Sequence, residues 1–178
     1  MTNERIQVRK SDMVDCRQFY LWEKTKQVSQ FFSIADDVSE EDIVREFVLN
    51  DVDDEKEQYT ILGSDGRMLG RIYLAGLSRK LDSLEIYRIY IGDPKERDKG
   101  FGRQAIEWIL SRAFDDDSFH RVYLDYYTGN PAAFLYESMG FQHEGIARDA
   151  CKKMGKYYDT HIMSMLRADY DKLYKGKK

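Results

Sequence analysis

Residues 94–110 read PKERDKGFGRQAIEWIL, and this stretch decides the fold. Ala105, Ile106, Ile109, Leu110 and, just downstream, Ala113 fall on one side of a helical wheel, with Gln104, Glu107 and Ser111 opposite. That periodicity predicts an amphipathic helix from about Gly102 to about Phe114. In front of it stand Gly100 and Gly102, among the cations Arg97, Lys99 and Arg103. Glycine is costly at a helix start unless the backbone must turn sharply or approach something closely. The first N–H groups of a helix lack intrahelical partners, and with the helix dipole they attract anions, phosphate above all. The flanking cations would strengthen hydrogen bonds to phosphate oxygens. No Lys-Ser/Thr follows the last glycine, so this is not a Walker loop. Gly100, Gly102 and Ala105 nominally fit a dinucleotide fingerprint, but the chain lacks the repeated strand–helix alternation of that fold.

On either side of the loop and helix lie SLEIYRIYIGD (83–93) and RVYLDYY (121–127), both rich in aromatic or β-branched residues. Strand, crossover helix and strand in this order imply a parallel pair with helical cover. Upstream, RIQVRK (5–10) alternates as a first strand. Asp12 caps a helix running to about Lys24, with Val14, Phe19, Leu21 and Trp22 among its apolar residues. SEEDIVREFVLN (39–50) opens on a Ser39/Asp42 capping box and carries Ile43, Val44, Phe47 and Val48 on its apolar face. QYTILGSDGRMLGRIYLAGL (58–77) is a hairpin around Ser64-Asp65-Gly66. Downstream, NPAAFLYESMGF (130–141) is a short helix with Asn130 suited to the N-cap, Pro131 to the first turn and Gly140 to the left-handed end. HEGIARDACKKMGKYYDTHIMSML (143–166) reads as two strands around Met154-Gly155-Lys156. Without repeats, low-complexity tracts or linkers, residues 1–170 read as one domain, and 171–178 as a basic, frayed tail.

The composition narrows the function. A net charge of −4 argues against a nucleic-acid partner. No apolar run has transmembrane length, and MTNERIQVRK lacks the apolar core of a leader, so no membrane partner is expected. Cys16 and Cys151 stand far apart, outside any CxxC pattern, which points to a reducing, cytoplasmic setting. His120, His143 and His161 are scattered without ligand spacing, so no metal is expected.

Two motifs carry a family resemblance. RDKGFG (97–102) matches the R/Q-x-x-G-x-G/A pyrophosphate loop of the GNAT superfamily of N-acetyltransferases, and AAFLYESMGF (132–141) resembles that family's A-x-x-x-Y-x-x-x-G-F helix. The order of elements matches too, over nearly the whole chain, and the C-terminal strands look like branches that acetylate ribosomal-protein N-termini or polyamines. The resemblance implies an α/β (α+β) fold: a mixed, mostly antiparallel sheet of about six or seven strands, helices on both faces, and splayed strands 4 and 5. It implies acetyl-CoA as co-substrate and an amine as acceptor. Arg97, Asp98, Lys99, Gly100, Phe101, Gly102 and Arg103 would cradle the pyrophosphate. Ile89, Tyr90 and Ile91 would run beside the pantetheine arm like an added strand. Phe134 and Tyr136 would border the cofactor from the later helix. The family's usual asparagine slot falls on Gly129, so Asn130 either reaches the cofactor or only caps its helix.

Tyr136 takes the place of the family's general acid, which protonates the departing thiolate. A phenol near ~10 and a thiol near ~8.5 differ by about 2 kcal/mol, a tolerable uphill step. Holding an amine of pKa ~10.4 neutral at pH 7 costs about 4.6 kcal/mol, so a base is wanted. Glu85 is the first choice; strict alternation places it on one face with Tyr87, Ile89 and Ile91, unless a bulge changes the register. Asp125 and Glu144 are further candidates. The acidic tract ADDVSEED…NDVDDEKE lies where the acceptor site is usually shaped, although such runs are more often solvated surface. Two other readings stay open: an acyl-CoA-binding sensor without turnover, and a loop serving another nucleotide. Edge pairing through the terminal strands makes a homodimer an expectation.

Overall fold

The stretch quoted above forms α4, Phe101–Ser111, continued by wider turns over Arg112–Asp116, in a computed structural model that describes residues 4–176. Ala105, Ile106, Ile109, Leu110 and Ala113 are all buried, as the wheel required. On the outer side Gln104 accepts from the Ile6 N–H (3.1 Å) and donates to the Glu4 carbonyl (3.0 Å), tying the N-terminal segment to the helix.

Beneath α4 lies a seven-stranded sheet in the order β1-β2-β3-β4-β5-β7-β6. Its strands are β1 Gln7–Lys10, β2 Glu57–Leu62, β3 Met68–Ser78, β4 Ser83–Ile91, β5 Arg121–Tyr127, β6 Gln142–Lys153 and β7 Lys156–Leu166. Every pair is antiparallel except β4 and β5, which are parallel and joined through α4. α5 (Ala132–Ser138) and α6 (Arg167–Tyr170) contribute to the core that α4 covers. α1 (Cys16–Glu23), α2 (Lys26–Ser29) and α3 (Glu40–Asp51) build a second apolar cluster with Tyr90. Both anticipated caps form: Val14 donates to Asp12 Oδ1 (3.0 Å), and Ser39 and Asp42 exchange hydrogen bonds at 3.0 and 3.2 Å. Val14 and Val48, assigned to apolar faces by periodicity, are instead exposed.

Two irregularities of β4 position everything that follows. β4 and β5 pair only from Ser83/Arg121 to Glu85/Tyr123, and then part. Opposite β3, Tyr73 pairs with Arg88 and Leu74 with Ile86, so Tyr87 is the extra residue of a bulge. Leu84 and Ile86 before the bulge, and Ile89 and Ile91 after it, all face the α4 core. Glu85, Arg88 and Tyr90 therefore point the other way. The expectation that Glu85 shares a face with Ile89 and Ile91 is corrected: one inserted residue reverses the parity.

The face under α1 and α3 holds a charged cluster no periodicity announces. Arg71 and Glu23 are wholly buried and paired at 2.7 Å; Arg88, equally sequestered, meets Glu23 at 3.1 Å and Glu46 at 3.0 Å. Glu46 also meets Arg71 at 3.0 Å, and the Tyr90 hydroxyl donates to Glu23 at 2.8 Å. Two cations thus balance two carboxylates.

Helical turns continue over Asp171–Lys175, with Tyr170 stacked on Phe114 (4.8 Å), Tyr174 donating to the Met139 carbonyl (2.9 Å) and Lys175 paired with Asp115 (2.7 Å). Residues 177–178 of that tail, and 1–3 of the stretch read for a leader, lie outside the described residues.

Candidate active site

The loop before α4 owes its shape to two residues with positive φ, Asp98 (59°) and Gly100 (90°), the latter standing at the N-cap. The first intrahelical bond runs from Gln104 N–H to the Gly100 carbonyl (3.1 Å). The earlier amides, through Arg103, have no helical acceptor and remain available to an anion. A Cβ on Gly102 would meet only Leu135, at an ordinary 3.6 Å. Arg97 clamps the loop, donating through Nε to the Ile91 carbonyl (3.2 Å) and through Nη2 to the Gln27 carbonyl (3.4 Å).

This loop forms one end of a groove of about 450 Å³. Ile89, Tyr90, Ile91, Arg97, Asp98, Gly100, Gly102 and Arg103 line it on one side, and Asn130, Leu135 and Tyr136 on the other. An extended, apolar strand edge leading to exposed amides and two arginines is the surface a pantetheine arm with a diphosphate needs. The residues present fit acetyl-CoA. Pro131 takes the N-cap of α5, and Asn130, one residue earlier, accepts from Ala132 N–H at 3.0 Å while standing at the groove wall. Tyr136 is buried, and loss of solvation raises its phenol well above the usual range, with the charges of Asp125 and Tyr126 adding to the effect. No hydrogen bond among the described residues engages its hydroxyl.

Three sequence-predicted residues stand elsewhere. Phe134 is 78% exposed and outside the groove lining. Lys99 turns its ammonium to Glu96 at 3.0 Å, away from the groove wall. The Phe101 ring is buried in the α4 core, leaving only its backbone at the loop. Tyr90 borders the groove, yet its hydroxyl is spent on Glu23.

A second cavity, of about 240 Å³, opens on the α1–α3 side where β4 and β5 part. Phe31 and Phe32 border both cavities. The smaller one is otherwise walled by Tyr87 and Arg88, by Asp125 and Tyr127, and by residues of β6 and β7 including Cys151 and Thr160. Ser33 is hydrogen-bonded to the Tyr127 hydroxyl, and the buried Lys153 ammonium reaches the Ile34 carbonyl and Asp36 (3.0 Å), so the segment after α2 is tied down over the opening. No carboxylate of the acidic tract lines the cavity, in keeping with a solvated run, and the aromatic pair just before it does. The run QFFS, apolar yet outside any periodic element, was the available signal.

The carboxylates sort clearly. Glu144 is gripped by Arg121 (2.7 Å) and Ser164 (2.7 Å), which bring it down to about 2 and occupy it away from both cavities. Glu85 accepts from the Tyr123 hydroxyl at 3.3 Å and does not line the cavity; burial and then the Asp125 charge raise its pKa. Asp125 lines the cavity, and burial raises its pKa as well.

A parallel strand pair that forks beside a glycine loop, with a groove along it and a second cavity sharing Phe31 and Phe32, is the architecture of an acyl-CoA-dependent transferase. The sequence profile of the acetyltransferase (GNAT) domain matches residues 7–162, and the chain belongs to that family. It is an N-acetyltransferase, and acetyl-CoA is the family's donor. The spermidine N(1)-acetyltransferase of Vibrio cholerae is 29% identical over 119 residues, 66% of this chain and 68% of that protein. The SPbeta prophage-derived uncharacterized N-acetyltransferase YokL of Bacillus subtilis is 27% identical over 129 residues, 72% of each. In fold, the chain superposes on the Vibrio cholerae spermidine N-acetyltransferase in complex with CoA and spermine with a TM-score of 0.85 at 23% identity, covering 93% of this chain and 98% of that one. Among the described residues no helix is long and apolar enough to cross a membrane, and no group of three or more His, Cys, Asp or Glu could hold a metal ion.

Proposed function

We propose that the chain holds acetyl-CoA in the larger groove and transfers the acetyl group directly to a primary amine in the smaller cavity, with Tyr136 as general acid. One observation carries this reading: the two cavities share Phe31 and Phe32 as a wall, and both take lining residues from β4 beyond its last pairing with β5. An amine entering from one side and a thioester from the other are brought to one place, and positioning of that kind supplies much of an enzyme's acceleration. The acceptor is a small-molecule amine or the N-terminal residue of a protein. Polyamines lead the panel, since a relative and a structural neighbour are named for spermidine.

The loop amides and Arg103 hold the diphosphate, while Ile89 and Ile91 steer the arm toward the fork. Tyr136 stands at the groove wall, protonated at neutral pH, ready to donate to sulfur. Gly102→Ala tests how much bulk the loop tolerates. The methyl has room beside Leu135, and alanine in a helix is worth about 0.5–1 kcal/mol over glycine, so the free protein gains slightly in stability. The motif admits alanine at this place, so the KM for acetyl-CoA stays within about threefold of wild type, a change below about 1 kcal/mol. Release of free CoA thiol, followed with acetyl-CoA and spermidine, spermine, amino-acid amides and short peptides, tests the reading as a whole. Thiol release at the blank rate with every acceptor would sink it.

A further inference from the structure

We propose that Asp125 receives the acceptor's ammonium group and removes its proton. This rests on the transferase reading above and names the part of that site that handles the amine.

Asp125 is the one carboxylate among the described residues that lines the acceptor cavity. It lies on β5 two residues beyond Tyr123, the last residue paired with β4, and so stands at the fork itself. No hydrogen bond or ion pair among the described residues engages its carboxylate, whereas Glu144 is fully occupied by Arg121 and Ser164. Phe31, Phe32, Tyr87 and Tyr127 surround the same space with ring faces that suit a cation. A carboxylate without a partner, among aromatic rings, in a small cavity facing a thioester groove, is built for an ammonium group.

The charged and titratable groups around it explain how it would act as a base. Tyr87 and Arg88 from β4, Tyr127 from β5 and Cys151 from β6 share its cavity, while its charge is felt by Glu85, Tyr123 and Tyr136. Arg88 is already balanced by Glu23 and Glu46 and does not neutralise Asp125. Burial raises the proton affinity of Asp125, and the Asp125 charge in turn adds to the burial that raises Glu85. The order of events follows. The ammonium gives one proton to Asp125, and the nitrogen lone pair forms a C–N bond to the thioester carbon. The C–S bond breaks with its electron pair on sulfur, which takes the Tyr136 proton. The second nitrogen proton returns to the Tyr136 phenolate, and Asp125 loses its own to solvent, one proton released per turnover. The charge of Asp125 is one reason the Tyr136 proton is held so tightly. Once Asp125 is neutralised by the amine, that hold weakens just before the phenol must donate.

The test compares wild type with Asp125→Asn on spermidine, n-butylamine, glycinamide and 2,2,2-trifluoroethylamine, the last three in falling basicity. Loss of a general base costs about 10²–10⁴-fold. A deficit in kcat/KM of about 10²-fold or more is expected with n-butylamine, shrinking below about tenfold with trifluoroethylamine, which is already neutral. With n-butylamine the wild-type kcat/KM is flat across the neutral range, because the ammonium form binds and Asp125 takes its proton. In Asp125→Asn only the amine already neutral in solution reacts, so kcat/KM climbs about tenfold per pH unit over the same range. CoA binding by Asp125→Asn, measured by calorimetry, stays within about twofold, since the two ligands occupy separate cavities. A deficit equal for all amines, a flat Asp125→Asn profile, or lost CoA binding would each overturn the role. Should Asp125→Asn fail to fold, the wild-type profile still decides: a climb of about tenfold per pH unit with n-butylamine would overturn the role. Wild type inert toward all four amines would instead remove the transferase reading, and this inference with it.

Discussion

Tyr136→Phe lowers kcat by about 10²–10⁴-fold, the usual worth of a positioned general acid, and leaves the affinity for acetyl-CoA within about twofold. The substitution removes one hydroxyl and nothing else. The ring keeps its contacts with Tyr126 and Phe141, each at 6.1 Å between centroids. The hydroxyl has no hydrogen-bonding partner among the described residues, so no buried group is orphaned and the melting temperature holds to within about 2 °C. Because the phenol titrates above its ordinary value of 10.0, it remains the acid across the neutral and mildly alkaline range. The sign is therefore definite: rate does not fall between about pH 7 and 10 through loss of the Tyr136 proton. Steady-state kinetics with a saturating amine, beside calorimetric CoA titration, measures both halves. Activity within about threefold of wild type would remove Tyr136 from the chemistry.

The second large effect concerns stability. Arg71→Met leaves the wholly buried Glu23 short of one of its two cations and strips Gln58 and Glu46 of a donor. Breaking a buried ion pair from one side costs about 3–5 kcal/mol. For a chain of this length that lowers the melting temperature by on the order of 10 °C. The paired change Arg71→Met with Glu23→Leu recovers much of the loss, since replacing both charges leaves none uncompensated. Acidity exposes the same cluster. Burial alone would raise Glu46, but Arg88 and Arg71 outweigh it and hold the carboxyl below its ordinary value. A carboxyl depressed in the folded state stabilises the fold above its unfolded pKa, and that contribution fades as pH falls toward the folded one. Thermal melts of the single and double variants from neutral to acidic pH read all of this; an Arg71→Met melt within about 2 °C of wild type would contradict it.

Much of this architecture was legible from local signals. The glycine loop, the apolar stripe of α4, the Ser39/Asp42 box and the Asn130-Pro131 start of α5 are written in a few neighbouring residues each. Such features depend on backbone conformation and helical periodicity, which short stretches specify by themselves. The order of strands and helices followed, and with it the family and the cofactor groove.

The acceptor side was hidden, and the reason is physical. Alternation predicts which face a strand residue takes only while the ladder is regular, and the bulge at Tyr87 exists because of how β3 lies against β4. That one insertion moved Glu85 off the expected face and onto the side of Asp125. The cavity wall joins Phe31 to Tyr87, Asp125, Cys151 and Ile162, residues that meet through packing and have no sequence proximity. Arg71, Glu23, Arg88 and Glu46 likewise look like surface charges until two helices close over them. Local sequence thus determined the elements, the phosphate loop and the likeness to acetyltransferases. Tertiary structure alone decided which carboxylate lines the smaller cavity, because burial and neighbouring charge, which set a group's chemistry, come from residues far along the chain.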